Sequence, residues 1–192
     1  MSAAARPGTL VAPDLLAPWH AALRTDQAGE TGAVWIYRGM QAVTRDPALR
    51  AFAQRHLATE QAHLDTLNSW LPAAERSRLL PVWRVAGWLT GALPAAAGPR
   101  AAYATVAAVE TFVEQHYRHQ IEALPATGPL GALRTTLEAC RQDEAHHRDE
   151  AAAQATRARL APLAVPLPPL LRAWCALVRH GSAWAVRLTR HV

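Results

Sequence analysis

The chain predicts an all-α fold, and three observations carry the prediction. Apolar residues recur at spacings of three, four and seven along most of the 192 residues, and no stretch alternates apolar and polar over strand length. Proline and glycine collect into a few breaks that separate periodic segments of helix length. A chain of this size suits one domain with a single core, without help from disulfides.

The elements follow in order. Residues 1–18, punctuated by Pro7, Pro13 and Pro18, read as an N-terminal extension, and a first helix runs from about Trp19 to Thr44. Asp46-Pro47 supplies an N-cap and a first-turn proline for a second helix over Pro47 to Trp70. Residues 72–98 read as an apolar link punctuated by glycine and proline, with a contact to a membrane as its expected role. A third helix covers Pro99 to Leu124. "PATGPLG" then turns the chain into a fourth, Leu130 to Leu160, which Pro162, Pro166, Pro168 and Pro169 end. The bundle proper is thus 19–160. A basic amphipathic helix, Leu170 to His191 within the segment 166–192, is expected to pack on the same domain.

Acidic residues fall on the apolar stripes of these helices. Glu30 shares a face with Leu23, Ala33, Val34 and Tyr37; Glu60 and His63 lie on the stripe of Phe52, Leu57, Leu64 and Leu67. Glu110 sits among Tyr103, Val106, Ala107, Val113 and Tyr117, and Glu144 with His147 in line with Leu133, Leu137, Cys140 and Ala151. Four helices therefore point acid into one core. An unpartnered buried carboxylate costs a few kcal/mol or more, so four of them require cations.

Glu-x-x-His places two ligands one turn apart on one face. Two such pairs, each preceded by a helix with an inward Glu, form the ligand grammar of ferritin-like di-metal bundles. The order Glu30, Glu60/His63, Glu110, Glu144/His147 repeats in two halves, as a weak internal duplication. The alternative is a solvated polar face with incidental histidines. On the metal reading "QDEAHHRDE" divides: Glu144 and His147 face inward, His146 and Glu150 face water, and Asp143 orients a ligand histidine. Glu114 competes with Glu110, being four residues away on the same face; Glu110 has the more apolar neighbours. Four carboxylates with two imidazoles form a hard, oxygen-rich site that favours iron or manganese over zinc or copper, and two ions suit six ligands. Such a pair can reduce O2 and attack a C–H bond. No nucleotide, flavin or iron–sulfur fingerprint is present, so electrons are expected from a partner or from the substrate.

Cys140 and Cys175 are far apart and form no C-x-x-C, which suits structural thiols in a reducing compartment. The net charge of +5 comes entirely from arginine against acid, and it permits an anionic partner, either lipid or nucleic acid. Neither a targeting peptide nor an uninterrupted apolar run of about 18 residues is expected.

Five blocks, "LRTDQAGETGAVWIYRGMQ", "TEQAHLDTL", "LLPVWRVAGWLTGAL", "VAAVETFVEQHYRHQIEAL" and "CRQDEAHHRDEA", resemble the demethoxyubiquinone hydroxylases over residues 23–151. The Trp-x-x-Ala-Gly pattern of the link is the more diagnostic part, since other ferritin-like enzymes share the ligands. The resemblance implies a di-iron monooxygenase that uses O2 to hydroxylate the ring of a polyprenylated demethoxyubiquinol in ubiquinone biosynthesis. It places two Fe ions on Glu30, Glu60, His63, Glu110, Glu144 and His147, and the pair His116-Tyr117 near the quinone head group as an electron or proton route. The family usually reads Asn-His or Asp-His before "AGE", where this chain has Asp26-Gln27. A tRNA-modifying di-iron hydroxylase, a ferritin-like oxidase and a non-catalytic iron-binding bundle stay open as alternatives; nucleic acid is not the expected partner.

In the last helix Arg172, Arg179, Arg187 and Arg190 occupy one sector, and Leu170, Trp174, Leu177, Trp184 and Leu188 the opposite side. Together with Trp83 and Trp88 of the link, this predicts a lipid-side mouth for the quinol and attachment to an anionic membrane surface. The expected location is the cytoplasmic face of a bacterial inner membrane, peripherally held, with homo-oligomers or protein partners of the same pathway. The competing reading is a last helix that covers the bundle with its apolar side.

Overall fold

The computed structural model describes residues 11–157 and 169–192. Six long helices lie among these residues: α1 (His20–Val43), α2 (Pro47–Trp70), α3 (Leu80–Ala97), α4 (Pro99–Ala123), α5 (Gly131–Arg157) and α6 (Pro169–Thr189). Short helical turns at Pro13–Leu16 and Ala17–Trp19 precede α1, and another at Ala73–Glu75 lies between α2 and α3. The expected extension over 1–10, the helix end at Leu160 and prolines 162, 166 and 168 fall outside the described residues.

Helices α1, α2, α4 and α5 form the bundle. α1 packs against α2, and α4 against α5, as two hairpins. Asp46 caps α2 as expected, its Oδ1 accepting from the Leu49 N–H at 2.7 Å, with Pro47 in the first turn. Two apolar clusters fill the bundle. One contains Leu23, Leu67, Trp70, Tyr117, Leu133 and Leu137; the other contains Tyr37, Met40, Leu49, Phe52, Val106 and Ala151. On every helix the acids lie between residues of the first cluster and residues of the second, so the polar layer is sandwiched between dry ones.

The link between α2 and α4 departs from the expectation: most of it is helix. Pro81 takes the first turn of α3, where a missing N–H costs nothing, and Gly87 and Gly91 serve contact rather than punctuation. A Cβ on Gly91 would stand 1.9 Å from the Ile36 carbonyl oxygen, and one on Gly87 2.4 Å from that of Gly32. α3 lies that close along α1. Gly98, at φ +123° and ψ 165°, then joins α3 to α4 without a loop, in a conformation essentially reserved for glycine.

Five side-chain hydrogen bonds tie the α6 segment down, one of them from the Cys175 thiol to the Ala104 carbonyl (3.6 Å). Trp83 Nε1 donates to Thr189 Oγ1 (2.9 Å), Trp174 Nε1 to Thr105 Oγ1 (3.1 Å), Ser77 Oγ to the Val192 carbonyl (2.8 Å), and Arg24 to that of Arg190 (3.2 Å). Two expectations are corrected here. Trp174 turns inward, away from Leu170, Leu177, Trp184 and Leu188, which stay exposed. Trp83 and Trp88 are half-buried rather than free anchors, because the bare Gly32 gives the Trp83 indole room against α1. The apolar surface of α3 is instead Val82, Val85, Leu89 and Leu93. No helix among the described residues is long and apolar enough to cross a membrane.

Candidate metal centre

All six expected ligands are buried and converge. Their atoms form two groups, Glu30/Glu60/His63/Glu144 and Glu60/Glu110/Glu144/His147, in each of which the candidate atoms lie within 4.8 Å of one another. Glu60 and Glu144 belong to both. Their two oxygens point different ways: His63 Nδ1 faces Glu60 Oε2 (3.8 Å) and Glu144 Oε1 (3.1 Å), while His147 Nδ1 faces Glu60 Oε1 (2.9 Å) and Glu144 Oε2 (3.5 Å). A carboxylate that offers one oxygen to each side is placed so that it could be shared by two ions. Glu30 completes the first side, with Oε2 at 3.8 Å from His63 Nδ1, and Glu110 the second.

These approaches lack hydrogen-bond geometry. Both Glu60 oxygens, both Glu144 oxygens, Glu30 Oε2, Glu110 Oε2 and the Nδ1 atoms of His63 and His147 are buried without a hydrogen-bond partner. So many orphaned atoms aimed at two points fit a pair of cations better than any protein-only arrangement. The titration behaviour agrees. Burial pushes Glu30 and Glu110 well above the usual carboxylate range. Burial also disfavours a charged His147, yet the carboxylates of Glu144 and Glu60 outweigh it and push the imidazole up to about 11. Glu60 is held low despite its burial by the two histidines facing it and by Glu30. Without metal, protons on the histidines balance the carboxylates.

A further layer holds the ligands. Asp143, exposed on α5, accepts from His63 Nε2 at 3.0 Å, so the orienting role expected for it acts across the bundle. Tyr117 donates to Glu30, and Tyr37 to Glu110 Oε1 at 3.1 Å; burial raises both phenols well above their ordinary value. Glu114 is buried but turned to Arg118 (2.6 Å), Arg141 (2.8 Å) and Arg148 (3.7 Å), outside both ligand groups. His146 is exposed as expected. Glu150 is not: its side chain is 24% exposed and binds Arg55 (2.6 Å) and His56 (3.0 Å), because α2 passes alongside. Gln27 faces away from the metal layer, its Nε2 donating to Asn68 Oδ1 at 3.3 Å.

A cavity of about 400 Å3 opens at this centre. Glu30, Glu60, Glu110, Glu144 and Tyr117 reach its inner end; its walls come from α1, α3, α4 and α6, and Val82, Leu177 and Leu188 stand exposed among its outer lining. His116 lines it too, with Nε2 at 3.1 Å from Asp26 Oδ1, from Thr25 Oγ1 and from Gln120 Nε2. Among the described residues the thiols of Cys140 and Cys175 are free, and burial pushes that of Cys140 up to about 12.

Three participants escaped the sequence reading: Asp26, Tyr37 as a donor, and His56. Their signals were present. Asp26 is four residues before Glu30 and His56 four before Glu60, so each shares a face with a ligand. Leu57 and Leu64, expected on the apolar stripe of α2, are half-buried; the buried stripe is Phe52, Ala53, His56, Glu60, His63, Leu67 and Trp70.

Comparison with known proteins agrees with this architecture. A 3-demethoxyubiquinol 3-hydroxylase of Rhodospirillum rubrum is 41% identical over 131 residues, 66% of this chain and 60% of that protein. Mitochondrial NADPH-dependent 3-demethoxyubiquinone 3-hydroxylases are 34% identical over 165 residues in Mus musculus, covering 83% of this chain and 75% of theirs, and 35% over 178 residues in Dictyostelium discoideum, covering 88% and 76%. The family model described as ubiquinone biosynthesis protein COQ7 matches residues 18–186, and the chain belongs to that family.

Proposed function

We propose that this protein hydroxylates the ring of a polyprenylated demethoxyubiquinol with O2, at a centre of two iron ions held by Glu30, Glu60, His63, Glu110, Glu144 and His147. The observation that carries the reading is the split of Glu60 and Glu144, one oxygen to each side, at the inner end of an apolar cavity. With iron bound, the six ligands would supply a reduced di-iron pair able to activate O2 for insertion into an aromatic C–H bond. One oxygen atom enters the ring and the other leaves as water, so each turnover consumes two electrons and two protons.

The chain's own residues do the rest. The cavity's apolar walls disfavour water and, at about 400 Å3, it suits a substituted ring whose tail leaves past Val82, Leu177 and Leu188. His116, backed by Asp26 and Thr25, offers a polar atom on the cavity wall to a ring oxygen. Tyr117 lies at the inner end with its hydroxyl on Glu30, where it can hold or pass a proton as the ring reacts. The apolar walls favour a quinol over a tRNA or an iron ion in transit. The exposed apolar residues of α3 and α6 beside Arg172, Arg179 and Arg187 support peripheral attachment to an anionic membrane, on the cytoplasmic face if the cell is bacterial.

The test is single-turnover chemistry. The chain loaded with two Fe(II), given a demethoxyubiquinol analogue and 18O2, should return the hydroxylated ring with one labelled oxygen. Glu144→Ala or His147→Ala should return none. Full activity in either variant would overturn the assignment.

A further inference from the structure

Outside the six ligands, a second polar group is buried where α2 meets α5. His56 is 3% exposed, and its Nε2 lies 3.0 Å from Glu150 Oε2, while Glu150 Oε1 accepts from Arg55 at 2.6 Å. The imidazole is enclosed by three rings. It stacks on Tyr37 (centroids 5.5 Å, 15° between planes), tilts against Phe52 (4.1 Å) and meets His147 edge-to-face (4.1 Å, 83°). His56 belongs to neither group of converging ligand atoms.

Its neighbours give it a consequence for only one side of the centre. His147 is touched directly. Glu110 is reached through Tyr37, whose hydroxyl donates to it at 3.1 Å. These two are the ligands not shared with the other side. The opposite position is braced without His56: Asp143 accepts from His63 Nε2 at 3.0 Å, and Tyr117 donates to Glu30. The first shells are alike, one Glu and one His apiece plus two shared carboxylates, but the supports differ in kind. One side has direct hydrogen bonds to both of its own ligands. The other has a hydrogen bond to Glu110 and, for His147, an aromatic wall clamped from outside by Glu150 and Arg55.

We propose that His56, held by Glu150 and Arg55, is the positioning residue for the Glu110/His147 metal position, and that the Glu30/His63 position does not depend on it. An imidazole ligand binds well only while its ring plane is held toward the metal, and an edge-to-face contact is worth about two- to tenfold in an equilibrium constant. Removing Glu150 leaves the buried His56 N–H without its acceptor and frees the ring that does the holding. The two metal positions are therefore of unequal strength and separately adjustable, the second from the protein surface.

The test reads Co(II) affinity and visible absorption bands in chains with one position each. His63→Ala keeps the Glu110/His147 position; His147→Ala keeps the other. In the His63→Ala chain, adding His56→Leu should weaken Co(II) about tenfold and shift its bands, and adding Glu150→Ala should weaken it about threefold. In the His147→Ala chain neither addition should change affinity as much as twofold. Equal weakening in both, or none in the first, overturns the proposal. The intact chain gives a second reading that needs no ligand removed. With His56→Leu alone, the first equivalent of Mn(II) should bind as in the unaltered chain with a mononuclear EPR signal, and the second about tenfold more weakly. Two equally affected equivalents overturn the proposal. The inference rests on the metal reading and not on the substrate, so the outcomes separate: an unaltered chain that binds no Co(II) sinks the di-iron reading, whereas two positions indifferent to His56 sink this inference alone.

Discussion

In α1, α2, α4 and α5 the ionisable groups of the centre point inward, and no large apolar side chain is exposed among the described residues. In α3 and α6 the pattern reverses: of the ten exposed large apolar residues among the described ones, eight lie there, Val82, Val85, Leu89 and Leu93 on one helix and Leu170, Leu177, Trp184 and Leu188 on the other. The bundle carries buried charge that cations or protons must balance, and the cover carries apolar surface that folding alone does not hide. The cavity joins the two regions. The difference separates chemistry from access, and each can be broken without the other.

The largest effects belong to the bundle. Glu60→Ala or Glu144→Ala removes a carboxylate common to both groups of converging atoms and should abolish both metal binding and turnover, with helical content retained by circular dichroism. Glu110→Gln should cost iron at one position. Glu114→Gln should keep both ions and lose only the contacts to Arg118 and Arg141. Equal iron loss in the two variants would make Glu114 a ligand after all.

Removing metal exposes the bundle to pH. His147 is raised above its ordinary value of 6.5 to about 11, so its contribution to stability is complete below pH 6.5 and is lost as pH climbs through 11. Glu30 and Glu110, raised from 4.5, act in the same direction: their contribution is complete below 4.5 and fades as pH rises. The melting temperature of the metal-free chain should therefore fall steadily from pH 6.5 toward 11. Because the ions take the place of these protons, metal affinity should rise over the same range. A metal-free chain more stable at pH 9 than at pH 7 would contradict the charge balance described for the centre.

The seam between bundle and cover is the next target. Gly91→Leu drives a side chain into the Ile36 carbonyl, a clash with backbone that no rotamer relieves. Overpacking of this kind costs about 2–3 kcal/mol, or about 5–10 °C in melting temperature for a domain this size. Differential scanning calorimetry reads the shift, and limited proteolysis should cut first in α3. Cutting first in α2 or α5 would mean that the cover is no less firmly held than the bundle.

How much of this was legible in the sequence follows the same division. Each candidate ligand of the bundle sits on a helical stripe, and a Glu on an apolar stripe is conspicuous, so the six residues that converge are legible in the sequence along with the ends of α2. The cover was read less well. Gly87, Gly91 and Pro94 look like breaks to any rule based on propensity, but their reason is the distance between α1 and α3, which is a tertiary fact. Trp174 on a helical wheel and Trp83 in a charge-poor link both read as membrane anchors, because their partners Thr105 and Thr189 are 69 and 106 residues away. His56 escaped for a third reason: its acceptor Glu150 is 94 residues distant, on another helix.

The smallest effect on folding, and the sharpest on access, comes from the outer faces. Val85, Leu89 and Trp184 are 63%, 42% and 64% exposed and do not line the cavity, so replacing all three by serine removes apolar surface without opening the core. Stability should stay within about 0.5 kcal/mol per site, since little apolar area that folding buries is lost. Partition into the interface of anionic vesicles should drop about tenfold or more, because each deleted side chain forfeits its own burial in the acyl boundary. Flotation with phosphatidylglycerol vesicles at low and high salt reads both contributions. Salt should weaken the unaltered chain through Arg172, Arg179 and Arg187, and the triple variant should float poorly at either salt. Turnover of a short-tailed, water-soluble quinol analogue should be unchanged, since the cavity and the metal layer are untouched. If the triple variant floats as well as the unaltered chain, the apolar faces of α3 and α6 are not what meets the lipid.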